Sequence, residues 1–228
     1  MLTATRTSGS FEYIIRSGRA ELPGTLALPD HPCGVILFAH GSGSSRQSPR
    51  NQLVATRLRR AGLGTFLFDL LTETESATRS KRFDIPLLAE RLLDATRWIR
   101  PEFGDLPVGW FGASTGAAAA LVAAAQAPGE VGAIVSRGGR PDLAGEALGA
   151  VRAPTLLIVG ANDTEVLELN REALTLLAGS KALQIIHGAG HLFEEGNTLD
   201  VVADYARHWF VRHLAGIGRH CAWPREGR

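Results

Sequence analysis

Lysine is nearly missing from this chain: of 24 basic residues only Lys81 and Lys181 are lysines, the rest being arginine. Such a bias follows genome composition and carries no functional message. Cysteine is equally scarce, with Cys33 and Cys221 alone among 228 residues. They can form at most one bridge, far apart in sequence, and no Cys-x-x-Cys spacing marks a zinc or redox site. Two free thiols in a reducing compartment is the simpler expectation, and with it a cytoplasmic location. Long apolar runs are missing too. The longest, 35–39 and 117–125, fall well short of the roughly 20 residues that span a bilayer. The first residues lack the apolar core of a secretory signal. Nor does one charge sign dominate. Lys and Arg number 24 against 23 Asp and Glu, and a net charge of +1 recruits neither nucleic acid nor an anionic membrane.

What is present is ordinary for a globular protein. A content of 45% hydrophobic and 21% charged residues excludes disorder of the whole chain. Short apolar runs recur at 35–39, 65–68, 108–111, 131–135, 155–159 and 183–186. Most are apolar at consecutive positions, as in parallel strands covered on both faces. The spacers carry helical stripes. Ser48 as cap and Pro49 at the first position open one, with Leu53, Val54, Leu58 and Ala61 on a face and Gly62 as the stop. Ile85, Leu88, Leu92, Ala95 and Ile99 predict a second, ending before Pro101. Val201, Val202, Tyr205, Trp209 and Phe210 predict a last one. Alternating strands and helices give an α/β fold with helices on both faces of the sheet. An antiparallel hairpin at 11–16 and 20–28 precedes it, and the polar stretch 71–82 reads as a long loop in which Glu73 and Glu75 form a solvated face. A single domain over 1–214 accounts for the length, with 215–228 as a flexible tail.

The chemistry concentrates at strand ends. Gly112-Ala113-Ser114-Thr115-Gly116 fits G-x-S-x-G and lies between a strand and an Ala-rich helix, where a sharp turn exposes the serine hydroxyl. A serine hydroxyl needs a base to take its proton. Asp163 follows the strand 155–159, and His191 follows the strand ending at Ile186, so nucleophile, acid and base come in workable order on one rim. The alternative for Asp163 is a helix cap, and for His191 a surface loop. His40-Gly41-Ser42-Gly43 follows the first parallel strand, and backbone N–H groups of Ser42 and Thr115 are candidates for an oxyanion hole. Arg46 stands where a dinucleotide-binding loop needs its third glycine. His187 and His191 are split by glycines rather than set on a helix, so no metal or cofactor is expected. Arg137, with Arg140 close by, points to the same rim as a candidate for an anionic substrate group. His40 is a weaker candidate for the pocket wall, and Asp69 for a structural carboxylate.

Together these motifs resemble the α/β-hydrolase superfamily, in its dienelactone-hydrolase-like group, over nearly the whole chain. The resemblance implies an eight-stranded, mostly parallel sheet, and the short gaps between the strands leave no room for a lid domain. It also implies a triad of Ser114, Asp163 and His191 that cleaves a small ester, thioester or lactone. An acyltransferase, or a non-catalytic docking module, would share the fold. Dienelactone hydrolases proper use a cysteine nucleophile, whereas this chain has Ser114. The segment 44–51 resembles a bacterial subgroup of which some members are linked to phosphoribosyltransferases, which implies such a protein as a partner.

Overall fold

The computed structural model describes residues 9–214, so the expected tail at 215–228 lies outside the described residues. Eight strands form one sheet in the order β1-β2-β4-β3-β5-β6-β7-β8. They are β1 (Gly9–Ser17), β2 (Ala20–Leu28), β3 (Val35–Ala39), β4 (Gly64–Phe68), β5 (Val108–Ala113), β6 (Ala133–Arg137), β7 (Thr155–Gly160) and β8 (Lys181–Ile186). The hairpin β1–β2 is antiparallel, as its alternating pattern predicts, and β2 also pairs antiparallel with β4. From β4 through β8 every pairing is parallel. Both faces are covered, which is why β3, β4, β5, β6 and β7 are buried at each position.

On one face lie α1 (Pro49–Arg60) and α7 (Thr198–Leu214), packing Val54, Leu58, Val202 and Phe210 onto Ile36, Phe38 and Phe111. On the other lie α4 (Ile85–Phe103) and α5 (Thr115–Gln126), whose Leu88, Leu92 and Ala119 meet Leu37 and Trp110. The last crossover helix, α6 (Thr164–Leu176), packs beside a 3-10 segment, Pro141–Ala150, that has no forerunner in the sequence pattern. Successive connections from β3 run in opposite directions, to β4 on one side and β5 on the other. That switch point opens a crevice at the strands' C-terminal ends, where loops after β3 and β5 meet.

Four expectations need correction. The stretch 71–82 is not a plain loop: it holds two short helices, α2 (Glu73–Ser76) and α3 (Arg79–Arg82). Thr72 and Glu75 cap the first reciprocally, a signal that its polarity concealed. Glu75 is also not on a solvated face, because it receives Arg91 Nη2 at 3.2 Å and Arg91 is buried. The helix α4 runs through Pro101, whose missing N–H costs only one bond in the last turn. Finally, Cys33 is disulfide-bonded rather than a free thiol, so it gives no argument for a reducing compartment. Among the described residues no helix is long and apolar enough to cross a membrane.

Candidate active site

Ser114 sits between β5 and α5 with φ 50° and ψ −118°, a conformation that L-residues rarely adopt. The flanking glycines explain how the turn holds it there. A Cβ on Gly112 would lie 2.4 Å from the Ala117 backbone, and one on Gly116 only 2.1 Å from the Ala39 carbonyl oxygen. Strand, helix and the neighbouring β3 therefore close on the serine with no room for side chains. The Ser114 N–H donates to the Arg137 carbonyl at 3.2 Å, and its own carbonyl accepts from Arg140 N–H at 3.2 Å. Main chain from the end of β6 and the loop after it thus holds the turn through both the N–H and the carbonyl of Ser114.

Asp163 occupies the cap position of α6, yet its carboxylate makes no capping bond. Its Oδ2 instead lies 2.7 Å from His191 Nδ1, with the carboxylate mostly buried and the imidazole partly open. An anion at Nδ1 holds the proton there and leaves Nε2 as the basic atom. The structure does not hydrogen-bond His191 to Ser114. Each is next to the 137–138 segment: the Arg137 carbonyl holds the Ser114 N–H, and Gly138 faces His191. A Cβ on Gly138 would lie 3.6 Å from His191 Cε1.

Neither the Ser42 nor the Thr115 N–H donates to a protein acceptor among the described residues. Both residues line a shallow cleft together with His40, Gly41, Gly43 and Ser44. Thr115 opens a 12-residue helix, whose dipole adds positive potential at that point. His40 is buried with both ring nitrogens engaged: Nδ1 lies 3.0 Å from the Gly41 carbonyl, and Nε2 accepts the Leu70 N–H at 3.0 Å. Burial pushes its pKa down, with the Gly41 hydrogen bond and the Asp69 charge opposing. A neutral imidazole carrying its proton on Nδ1 fits both bonds, so His40 ties the start of the Ser42 loop to the end of β4. Asp69 secures the same loop farther on, accepting the Arg46 N–H at 2.7 Å and Arg46 Nη1 at 2.5 Å.

The rest of the cleft's lining is Leu71, Ser76, Arg82 and Leu88, whereas Ser114, Asp163 and His191 are not among the residues that line it. Sequence reasoning missed the first four because they come from the segment read as a loop and from α4. The capping box around Thr72 was the available signal. Arg137 belongs to the end of β6, two residues beyond the strand expected at 131–135, and is buried against Asn51, to which Nη2 donates at 3.2 Å. Arg140 is held by both oxygens of Asp142 at 2.8 and 2.7 Å.

No family model matches the chain. A solved dienelactone hydrolase of Anabaena variabilis is 52% identical, with a TM-score of 0.88 over 92% of this chain and 100% of that one. A solved Xanthomonas campestris α/β serine hydrolase described as lacking a lid shares 20% identity and a TM-score of 0.74, over 93% of this chain and 98% of that one. Two Mycobacterium tuberculosis proteins (strains CDC 1551 and H37Rv), each provisionally named a phosphoribosyl transferase, are 54% identical over 209 residues. Those residues are 91% of this chain but only 47% of each relative, so the chain spans about half the length of the curated proteins it matches.

Proposed function

This chain belongs to the dienelactone-hydrolase-like group of the α/β-hydrolases, and on that premise we propose a serine hydrolase that cleaves a small carboxylic ester, thioester or lactone. The observation that carries the proposal is the Asp163–His191 bond at 2.7 Å, on the rim where Ser114 stands in a strained turn beside two unpaired N–H groups. Ser114 Oγ attacks the carbonyl carbon while His191 Nε2 takes its proton. The oxyanion forms opposite the N–H groups of Ser42 and Thr115. The imidazolium, stabilised by Asp163, then gives that proton to the departing alcohol, thiol or lactone oxygen. Water, deprotonated by His191, splits the acyl-enzyme to acid and free Ser114. The two hydrogen-bond donors are worth about 3–4 kcal/mol each in comparable sites, because they are fixed before charge develops.

Labelling with a fluorophosphonate tests this. The wild-type protein should label, Ser114→Ala should not, and His191→Ala should label far more slowly. A folded wild type that fails to label sinks the mechanism. Transfer of the acyl group to another acceptor would use the same residues, and product analysis with a competing alcohol separates the two outcomes. The transferase name of the mycobacterial relatives belongs to proteins about twice as long. Docking of this unit beside a phosphoribosyltransferase is compatible with catalysis, and co-purification of the two halves of such a relative, expressed separately, would test it.

A further inference from the structure

Arg137 is only 6% exposed, yet it has no carboxylate partner among the described residues. Its one side-chain hydrogen bond goes to the amide oxygen of Asn51, and its Nε is buried with no acceptor. A neutral amide does not offset a buried charge, and an uncompensated buried ion costs several kcal/mol. A second guanidinium makes the imbalance worse. Burial, and after it the charge of the nearby Arg50, brings the Arg137 pKa down to about 10. Arg50 Nε is likewise buried without an acceptor, its Nη1 alone being bound, by the exposed Glu194 at 2.8 Å. Both Arg50 and Asn51 lie in the first turn of α1, whose dipole adds positive potential there.

Two guanidiniums, an amide and a helix start lie together where the described residues supply one carboxylate, Glu194, which is spent on Arg50 at the exposed side. The place is next to the chemistry: the Arg137 carbonyl holds the Ser114 N–H, and Gly138 packs against His191. We infer that Arg137, with Arg50, forms a binding site for a small oxyanion, a carboxylate or phosphate, beside the catalytic rim. The anion has two sources, a pendant group of the substrate or a free ion. Only the first of these rests on the hydrolase reading above.

Melting temperature of the full chain is followed against sodium phosphate and sodium acetate, with chloride holding ionic strength constant. A saturable rise in the wild type is expected, with apparent affinity weakened about 10-fold or more in Arg137→Gln and in Arg50→Gln. Arg50→Gln guards against an Arg137 variant that does not fold, since Arg50 is on the surface side of the cluster. No saturable rise with either anion, or equal affinity in wild type and Arg50→Gln, overturns the site. Turnover of an aryl acetate is then compared with that of the aryl hemisuccinate. Preference for the anionic ester, reduced in Arg50→Gln, assigns the anion to substrate. No preference, with phosphate binding intact, assigns it to a free ion. If fluorophosphonate labelling fails while phosphate still binds, the hydrolase reading falls and the anion site stands.

Discussion

Thr115, in the turn that carries Ser114, and Leu71, Ser76 and Arg82 of the segment 71–82 line one cleft, but the turn and the segment are held by different forces. The turn is fixed by backbone packing, with Gly112 and Gly116 pressed against main chain and two main-chain hydrogen bonds from β6 and its following loop. The segment beyond β4 buries no residue of α2 or α3 and depends on a capping box and on the Glu75–Arg91 pair. Rigid backbone suits the atoms that must be placed to within half an ångström, whereas side-chain pairs suffice for a wall that only shapes the substrate. The comparison predicts that changes in the turn act on chemistry and folding, and that changes in the segment act on binding.

The largest effect belongs to Ser114→Gly. Turnover of an activated ester should fall about 10⁴-fold or more, since the proposed mechanism runs through the Ser114 hydroxyl. Stability should rise by about 1 kcal/mol, because glycine tolerates φ 50° without strain. A variant that is inactive but less stable in urea would show that the turn is not strained. Next comes Gly116→Ala. The new methyl would meet the carbonyl oxygens of Ala39 and His40 at 2.1 and 2.5 Å, both of them backbone and unable to rotate away. A loss of about 3 kcal/mol is expected in denaturant unfolding, together with lost activity as the Ser42 loop is displaced. A near-neutral result would break the claim that backbone packing holds the turn.

In the segment, Glu75→Ala removes the acceptor of the Thr72 N–H and the partner of Arg91. Stability should drop by about 1–2 kcal/mol. In steady-state kinetics KM should rise about fivefold with kcat held, the signature of lost uniform binding. If kcat falls instead, the segment takes part in the chemical step, and the contrast between the two walls collapses.

This contrast also explains what the sequence made legible. Hydrophobic runs buried on both faces announce parallel strands, and the glycines around Ser114 are required by geometry, so the sheet and the turn could be read directly. Asp163 and His191 followed from the strands that precede them, because in such a sheet a strand's end places the next residue on the rim. The wall at 71–82 was not legible as structure. It is made of polar residues whose helices are four residues long and whose ordering depends on a partner, Arg91, on another helix. Arg137 was placed on the rim, but its burial was not foreseeable. Strand β6 continues two residues past its last aliphatic residue because β5 and β7 pair with it that far, at Ala113 and Ile158.

The smallest expected effect is at the joint between the two walls. His40 links the Gly41 carbonyl on the catalytic side to the Leu70 N–H at the foot of the other. Burial is the main cause of its lowered pKa, so the folded protein favours the neutral ring relative to the unfolded chain, where the value is 6.5. The folded state therefore binds fewer protons than the unfolded state in the window below that value. Stability contributed by neutral His40 is complete above pH 6.5 and declines as the pH falls toward the folded-state pKa. Protonation at Nε2 would also turn the acceptor of the Leu70 N–H into a second donor facing it. His213 shifts in the same direction, so the informative quantity is a difference between proteins. Melting temperature measured between pH 5 and 8 should fall less steeply on the acid side in His40→Gln than in the wild type. Equal acid slopes would mean that the ring opens to solvent before it titrates, and that the joint between the walls is looser than its two hydrogen bonds imply.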